Sequence, residues 1–193
     1  LMYHPFPTLL NPEDNLADEF IEIHNPTAFP EDLWNGTGSW RLNGEVTFTF
    51  PSNTTLAADE SSVIVSFDPS DANALASFKT AHGLSNGTVT ILGPYAGKLS
   101  NRGGRVALER PQAPDLIGES ASWVIVDEMI YFDQMPWPSS PDGTGDSLHR
   151  IDSAGSGNHW VHWAAAPPSP GNVVVIIDTD GDGLADSIDP DDD

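Results

Sequence analysis

The chain has 193 residues, 38% of them apolar, which is enough for one large domain and a small appendage but not for two catalytic domains. Seven Lys and Arg face 29 Asp and Glu, and a net charge of −22 repels phosphate, so we expect no nucleic-acid partner. Cysteine is absent, which excludes disulfides, thiolate metal sites and cysteine nucleophiles.

Short segments of strand type recur along the chain, each bounded by turn residues. The clearest is Val46 to Phe50, where large apolar residues alternate with Thr before Pro51, as on a strand with one buried face. Similar segments are Phe20 to His24, Trp40 to Leu42, Ser62 to Phe67, Thr88 to Leu92, Arg105 to Glu109, Trp123 to Val126, Met129 to Phe132 and Trp160 to Trp163. This pattern predicts an all-β, antiparallel β-sandwich.

One short helix is predicted from Pro69 to His82. Ser70 is placed to cap its N-terminus, and Gly83 is placed to end it. A single helix among many strands disfavours an α/β sheet.

The composition changes at Ala164, where the stretch AAAPPSPG is too rich in Pro and small residues to continue a strand. We therefore expect the main domain to span residues 1–171. Residues 172–177 then form a linker or an edge strand, because Val173 to Ile177 fits either a last edge strand or an apolar stalk. This run is the longest aliphatic one and is far too short to cross a bilayer, so we expect no membrane insertion.

Residues 178–193, which read DTDGDGLADSIDPDDD, have the spacing of an oxygen-rich cation loop. Calcium takes six to eight oxygen ligands, which alternate aspartates on a tightly turned loop can supply, and a glycine at position six permits the turn. The predicted calcium ligands are Asp178, Asp180, Asp182, the backbone carbonyl of Leu184, Asp186 and Asp189. The twelfth position is Asp rather than Glu and no helix-forming segment flanks the loop, so an EF-hand is not predicted.

This tail resembles a thrombospondin type 3 repeat through its aspartates, Gly183 and Pro190. The body contains, in this order, LMYHP from Leu1, DEFIEIHNPT from Asp18, SWRLNG from Ser39, FTFPSNTTLAADE from Phe48, GPYAGKLSNRGGRVAL from Gly93, VDEMIYFDQMPWP from Val126 and DGTGDSLHRID from Asp142. These pieces and their order resemble a bacterial lamin tail domain. The resemblance implies an immunoglobulin-like sandwich without catalytic residues, part of a larger exported bacterial protein. The stretch from Gln112 to Ser122 departs from the family as an insertion.

Three histidine and serine positions invite an enzymatic interpretation. Ser147 lies in a GDSL block, as in one esterase family, but the block comes late in a β-rich chain and coincides with a lamin-tail piece, so we do not expect a nucleophile. His159 and His162 are three apart in a predicted strand, so their side chains should point to opposite faces and not share a metal. We expect no enzyme.

The sequence therefore predicts a non-enzymatic structural or adhesive module of an extracellular or cell-surface protein, whose aspartate repeat binds calcium. The alternative is an accessory module that binds a carbohydrate or a protein for an attached enzyme. A spacer should lack an apolar cleft, whereas a binding module should expose an aromatic platform, for which Trp34, Trp137 and Trp163 are candidates. Other domains of the parent protein, or a surface glycan or protein, are the expected partners.

Overall fold

The structure is a computed structural model that describes residues 1–9, 12, 14–84 and 89–172. Its strands are β1 (Phe20–His24), β2 (Glu31–Asp32), β3 (Trp34–Asn35), β4 (Gly38–Ser39), β5 (Arg41–Gly44), β6 (Val46–Thr49), β7 (Thr55–Leu56), β8 (Ser61–Val65), β9 (Thr90–Leu92), β10 (Ala96–Gly97), β11 (Gly103–Gln112), β12 (Ser122–Phe132), β13 (Ser147–Arg150) and β14 (Trp163–Ala166). The helix α1 spans Ala72–Ala81, and 3₁₀ turns lie at Leu16–Asp18 and Trp160–His162.

The first sheet is built from three strands and a hairpin that the chain's first residues join. Its strands follow the order β1, β8, β9, and β13 pairs with β14. The Met2 amide donates to the Phe20 carbonyl at 3.0 Å, and the Met2 carbonyl accepts from the Phe20 amide at 3.2 Å. The amide of Leu148 donates to the Leu1 carbonyl at 2.9 Å, and the Leu1 amino group returns a bond of 2.7 Å. The two-residue segment Leu1–Met2 thus lies between β1 and β13.

The second sheet has the order β10, β6, β5, β11, β12. Its long hairpin pairs β11 with β12 over their whole length, with one register shift where Leu108 faces Asp127 and Glu109 faces Ile125. Val126 is therefore the extra residue of a β-bulge. The two predicted strands, 123–126 and 129–132, are one continuous strand bent at this bulge.

The two sheets enclose one apolar core, as the sequence predicts for a β-sandwich. Tyr3 and Tyr131 are fully buried within it with ring centroids 4.8 Å apart. Its large buried members include Ile21, Trp40, Leu42, Val46, Phe50, Ile64, Tyr95, Leu99, Met129, Trp137, Leu148 and Trp163. Alternating apolar residues on facing strands produce this core, and the all-β class is confirmed.

Helix α1 covers the outer face of the first sheet, where Phe78 packs edge-on against Phe20 at 6.1 Å. The helix begins at Ala72, three residues after the predicted start. Its cap is Asp71 rather than Ser70, and Asp71 accepts hydrogen bonds from two amides of the first turn at 2.9 and 3.2 Å. It ends before Gly83, at φ +65°, as predicted. Because α1 carries the chain across the sheet, β8 and β9 pair in parallel instead of antiparallel.

The predictions for the chain after residue 159 were wrong in two places. Trp160–His162 is a 3₁₀ turn because the His159 ring accepts a hydrogen bond from the Val161 amide at 3.4 Å, which curls the backbone. The strand Trp163–Ala166 follows this turn and pairs with β13. The sequence predicted that no strand continues beyond Ala164, and this prediction was wrong. Small alanines suit this buried strand, and Pro167 then ends it. Within the described residues, no helix is long and apolar enough to cross a membrane.

Candidate functional site

The six predicted calcium ligands, Asp178 to Asp189, lie outside the described residues, and so does the Val173 to Ile177 run. Calcium binding therefore stays a prediction from the aspartate spacing. Within residues 1–172 as described, no cluster of three or more His, Asp or Glu side chains could hold a metal.

The described part contains a cleft of about 590 Å³ between β1 and β13. The Leu1–Met2 segment fills one end of the space between these strands by bonding to Phe20 and Leu148. Beyond Leu1 the two strands continue, to His24 and Arg150, without a described strand between them. The space between β1 and β13 beyond Leu1, as bounded by the described residues, is called the gap below.

Backbone groups on both sides of the gap point into it. In β1 the Asn25 amide bonds to Glu60 and the Phe20 amide bonds to Met2, so successive residues alternate between β8 and the gap. This alternation directs the backbone groups of Glu22 and His24 into the gap. In β13 the Leu148 amide bonds to Leu1 and the Ile151 amide bonds to His162, which directs Arg150 into the gap in the same way.

The floor of the cleft is apolar and its rim is charged. The inner faces of β5, β11 and β12 supply the floor through Leu42, Val106, Leu108 and Met129. The rim carries Glu22, His24, Asp127, Glu128, His149 and Arg150. An apolar floor between the edges of two strands suits an extended chain better than a small polar ligand.

Arg150 holds one wall of the cleft in place. Its guanidinium donates to the Gly155 carbonyl at 2.6 Å and lies 3.4 Å from a carboxylate oxygen of Asp127 on β12. Its Nε donates to the Asp152 carbonyl at 2.8 Å. The guanidinium carbon lies 5.0 Å from the centre of the Trp163 ring. These contacts fix the loop after β13 against the edge of the second sheet.

Ser147 and His149 lie together on one face of β13, which the sequence analysis did not foresee. The Ser147 hydroxyl and His149 Nε2 are 2.9 Å apart because residues two apart on a strand share a face. Ser147 is only 2% exposed, although it is among the residues that line the cleft. Burial lowers the pKa of His149 to about 4, which makes it a weak general base near neutral pH. Asp146 accepts instead from the Ser140 hydroxyl.

The two histidines after β13 lie closer together than predicted. The 3₁₀ turn brings the rings of His159 and His162 to a centroid distance of 5.7 Å, so the prediction of opposite faces was wrong. The ring of His162 contacts Asp152 at 3.1 Å. His159 Nδ1 accepts from a backbone amide, so that nitrogen is already engaged.

The three tryptophans named as candidates for an aromatic platform do not lie together on the surface. Trp137 and Trp163 are 4% and 8% exposed and pack against each other in the core, with ring centroids 6.3 Å apart. Trp34 is exposed but lies on the separate β3–β4 pair. The sequence analysis missed Trp123 on β12, which is partly exposed and carries the guanidinium of Arg41 3.7 Å above its ring.

Ionic groups cross the outer face of the second sheet. Buried Glu109 accepts from Arg41 at 2.8 Å and lies 3.8 Å from Arg105, which itself donates to Glu128 at 2.7 Å. Arg105 thus contacts two carboxylates, those of Glu109 and Glu128. Arg41 and Arg105 therefore bind carboxylates of the protein itself, which gives them a structural role.

A second buried carboxylate, Glu19, lies under the loop that precedes β11. Its Oε2 accepts from the Tyr95 hydroxyl at 2.8 Å and from the Leu99 amide at 3.2 Å, whereas Oε1 has no partner among the described groups. Burial raises the pKa of Glu19 to about 7. The carboxyl is therefore a buried group that titrates near neutral pH.

Comparison of the chain with protein-family models, curated proteins and solved structures gives no match.

Proposed function

We propose that the protein is a non-enzymatic structural or adhesive module of a larger exported surface protein, and that its C-terminal aspartate repeat binds calcium. The observation that carries this proposal is the spacing of Asp178, Asp180 and Asp182 before Gly183. Eight aspartates within 16 residues repel one another unless a cation lies among them, so order in this segment should depend on calcium.

The described body supports a scaffold role in this proposal. Several of its ionic groups bind one another, and the buried Ser147 hydroxyl lies beside the weakly basic imidazole of His149. An enzyme would need a nucleophile that a substrate can reach and a base with a pKa near the working pH.

The accessory-module alternative finds mixed support. Two of the three tryptophans that would form a carbohydrate platform are buried, which disfavours glycan binding. The apolar cleft favours binding of an extended chain, so a protein segment is the better candidate ligand for this alternative.

Calorimetric titration with calcium tests the proposal, with the Asp180→Ala and Asp182→Ala double variant as the control. We expect binding with a dissociation constant of about 10⁻⁴ to 10⁻³ M in the wild type, near the weak end because a single repeat is present. The double variant should give only heats of dilution. Equal heats from both proteins would place the site elsewhere and refute the proposal.

A further inference from the structure

We propose that the outer face of β12 is a dimer interface, on which two copies of the chain pack their second sheets against each other about a two-fold axis. This inference goes beyond the proposed function and does not depend on calcium binding. Five residues define the face and are called the β12 stripe: Trp123, Ile125, Glu128, Ile130 and Phe132.

The β12 stripe is mostly apolar, although it lies on the side of the sheet that faces away from the core. Cross-strand neighbours share a face, and Ile130 and Ile125 stand opposite Arg105 and Glu109, the ionic residues of the outer face. The four apolar members, Trp123, Ile125, Ile130 and Phe132, are 38%, 50%, 37% and 49% exposed. An antiparallel strand with one face in water normally carries polar residues on that face, so the stripe indicates a face that another surface covers.

The order of residues along the stripe favours a second copy as the partner. From either end it is aromatic, isoleucine, glutamate, isoleucine, aromatic. A two-fold axis near Glu128 would bring Trp123 to the partner's Phe132 and Ile125 to the partner's Ile130, so that each apolar residue meets another. An unrelated partner gives no reason for this symmetric order.

The charges on this face balance, which suits contact between two copies of a chain with a net charge of −22. Glu128 binds Arg105 at 2.7 Å and Glu109 binds Arg41 at 2.8 Å, so two arginines offset two glutamates. The Arg41 guanidinium also lies 3.7 Å above the Trp123 ring. Aromatic residues and arginines are enriched in protein interfaces. The remaining obstacle is the repulsion between the net charges, which salt screens over about 8 Å at physiological ionic strength.

The size of the face fits a reversible dimer. Large side chains of this kind carry about 150 to 250 Å² when fully accessible, so the four apolar residues expose roughly 350 Å² per copy. Since interfaces are about 57% apolar, this corresponds to roughly 600 Å² buried per copy, somewhat below the roughly 800 Å² of a standard stable interface. We therefore expect a dissociation constant in the micromolar range and not a permanent dimer.

Sedimentation velocity of the full chain in excess chelator tests the proposal. We expect a monomer–dimer equilibrium between about 1 and 300 µM protein. The dimer should be at least about threefold tighter in high salt than in low salt, because salt screens the repulsion between like net charges. Ile125→Asp puts a charge in the stripe and should weaken dimerisation at least about tenfold. The control Ile117→Asp adds the same charge at a fully exposed loop position outside the stripe and should leave dimerisation unchanged.

A second measurement tests the two-fold arrangement and uses the absence of natural cysteine. Packed sheets lie about 10 Å apart, a distance that a short bismaleimide spans. A mixture of Ile125→Cys and Ile130→Cys proteins should cross-link more strongly than either protein alone, because the symmetry brings these two positions together.

Three results would overturn the proposal. A wild type that stays monomeric at every protein and salt concentration would assign the stripe to a different protein. Dimerisation of Ile125→Asp as tight as that of the wild type would place the interface elsewhere. Equal cross-linking in the mixture and in both single-cysteine samples would exclude the two-fold arrangement.

Discussion

The substitution Glu19→Gln tests the buried carboxyl most sharply. The pKa of Glu19 is raised from 4.5 to about 7 by burial, so the folded state holds a proton that the unfolded state has released at intermediate pH. The folded protein binds more protons in this window, and its stability therefore falls as pH rises from about 4.5 to about 7. At about 1.36 kcal/mol per pH unit, the full effect is about 3 kcal/mol.

Glutamine has the shape of glutamic acid and keeps an oxygen acceptor for Tyr95 and Leu99, but it cannot ionise. We expect the unfolding free energy of Glu19→Gln, relative to wild type, to rise by about 2.5 kcal/mol between pH 5 and pH 8. Urea unfolding at both pH values in chelator measures this difference. Glu119→Gln makes the same change at an exposed loop position and is the control. If the difference in unfolding free energy between Glu19→Gln and wild type does not vary with pH, then Glu19 is not a buried carboxyl with a raised pKa.

Three further substitutions test the account at separate places. The protein should hydrolyse neither p-nitrophenyl esters nor phosphoesters, and Ser147→Ala should leave this unchanged; turnover that the variant lacks would contradict the non-enzymatic role. Gly44→Ala should lower the unfolding free energy in urea by at least about 2 kcal/mol, because Gly44 has φ +135° and an added Cβ would overlap the Arg105 carbonyl. The control Gly36→Ala adds a Cβ in open space and should change stability little. Phe78→Ala should cost about 3 kcal/mol or more, since this side chain anchors α1, and an effect below about 1 kcal/mol would show that α1 is weakly docked.

The fold class could be predicted because the strand signals are local. Strand β1, Phe20–His24, has the predicted bounds. Its apolar and polar residues alternate, and this pattern identifies the buried face from the sequence alone. The predicted N-cap of the helix, Ser70, was wrong, because Ser70 and Asp71 are both good capping residues and the sequence alone does not choose between them. The bulge at Val126 has no sequence signal, since it depends on the register with β11.

The candidate site was harder to predict than the fold, because it depends on which strands become neighbours. The first residues join β1 to β13, and the gap beyond Leu1 follows from that long-range contact. Trp137 and Trp163 were wrong candidates for an exposed platform because large aromatic residues serve the core equally well. The Ser147–His149 contact could have been found from their spacing of two on a predicted strand, a signal that the sequence analysis did not use.

The most direct measurement of the central claim is hydrogen exchange of residues 178–193 in the intact protein, with millimolar calcium and with chelator. We expect calcium to slow exchange of the aspartate segment by at least about tenfold and to leave the core strands, such as β8, unchanged, because the body has its own apolar core. Equal exchange of the aspartate segment in calcium and in chelator would contradict the calcium-binding module that the sequence predicts.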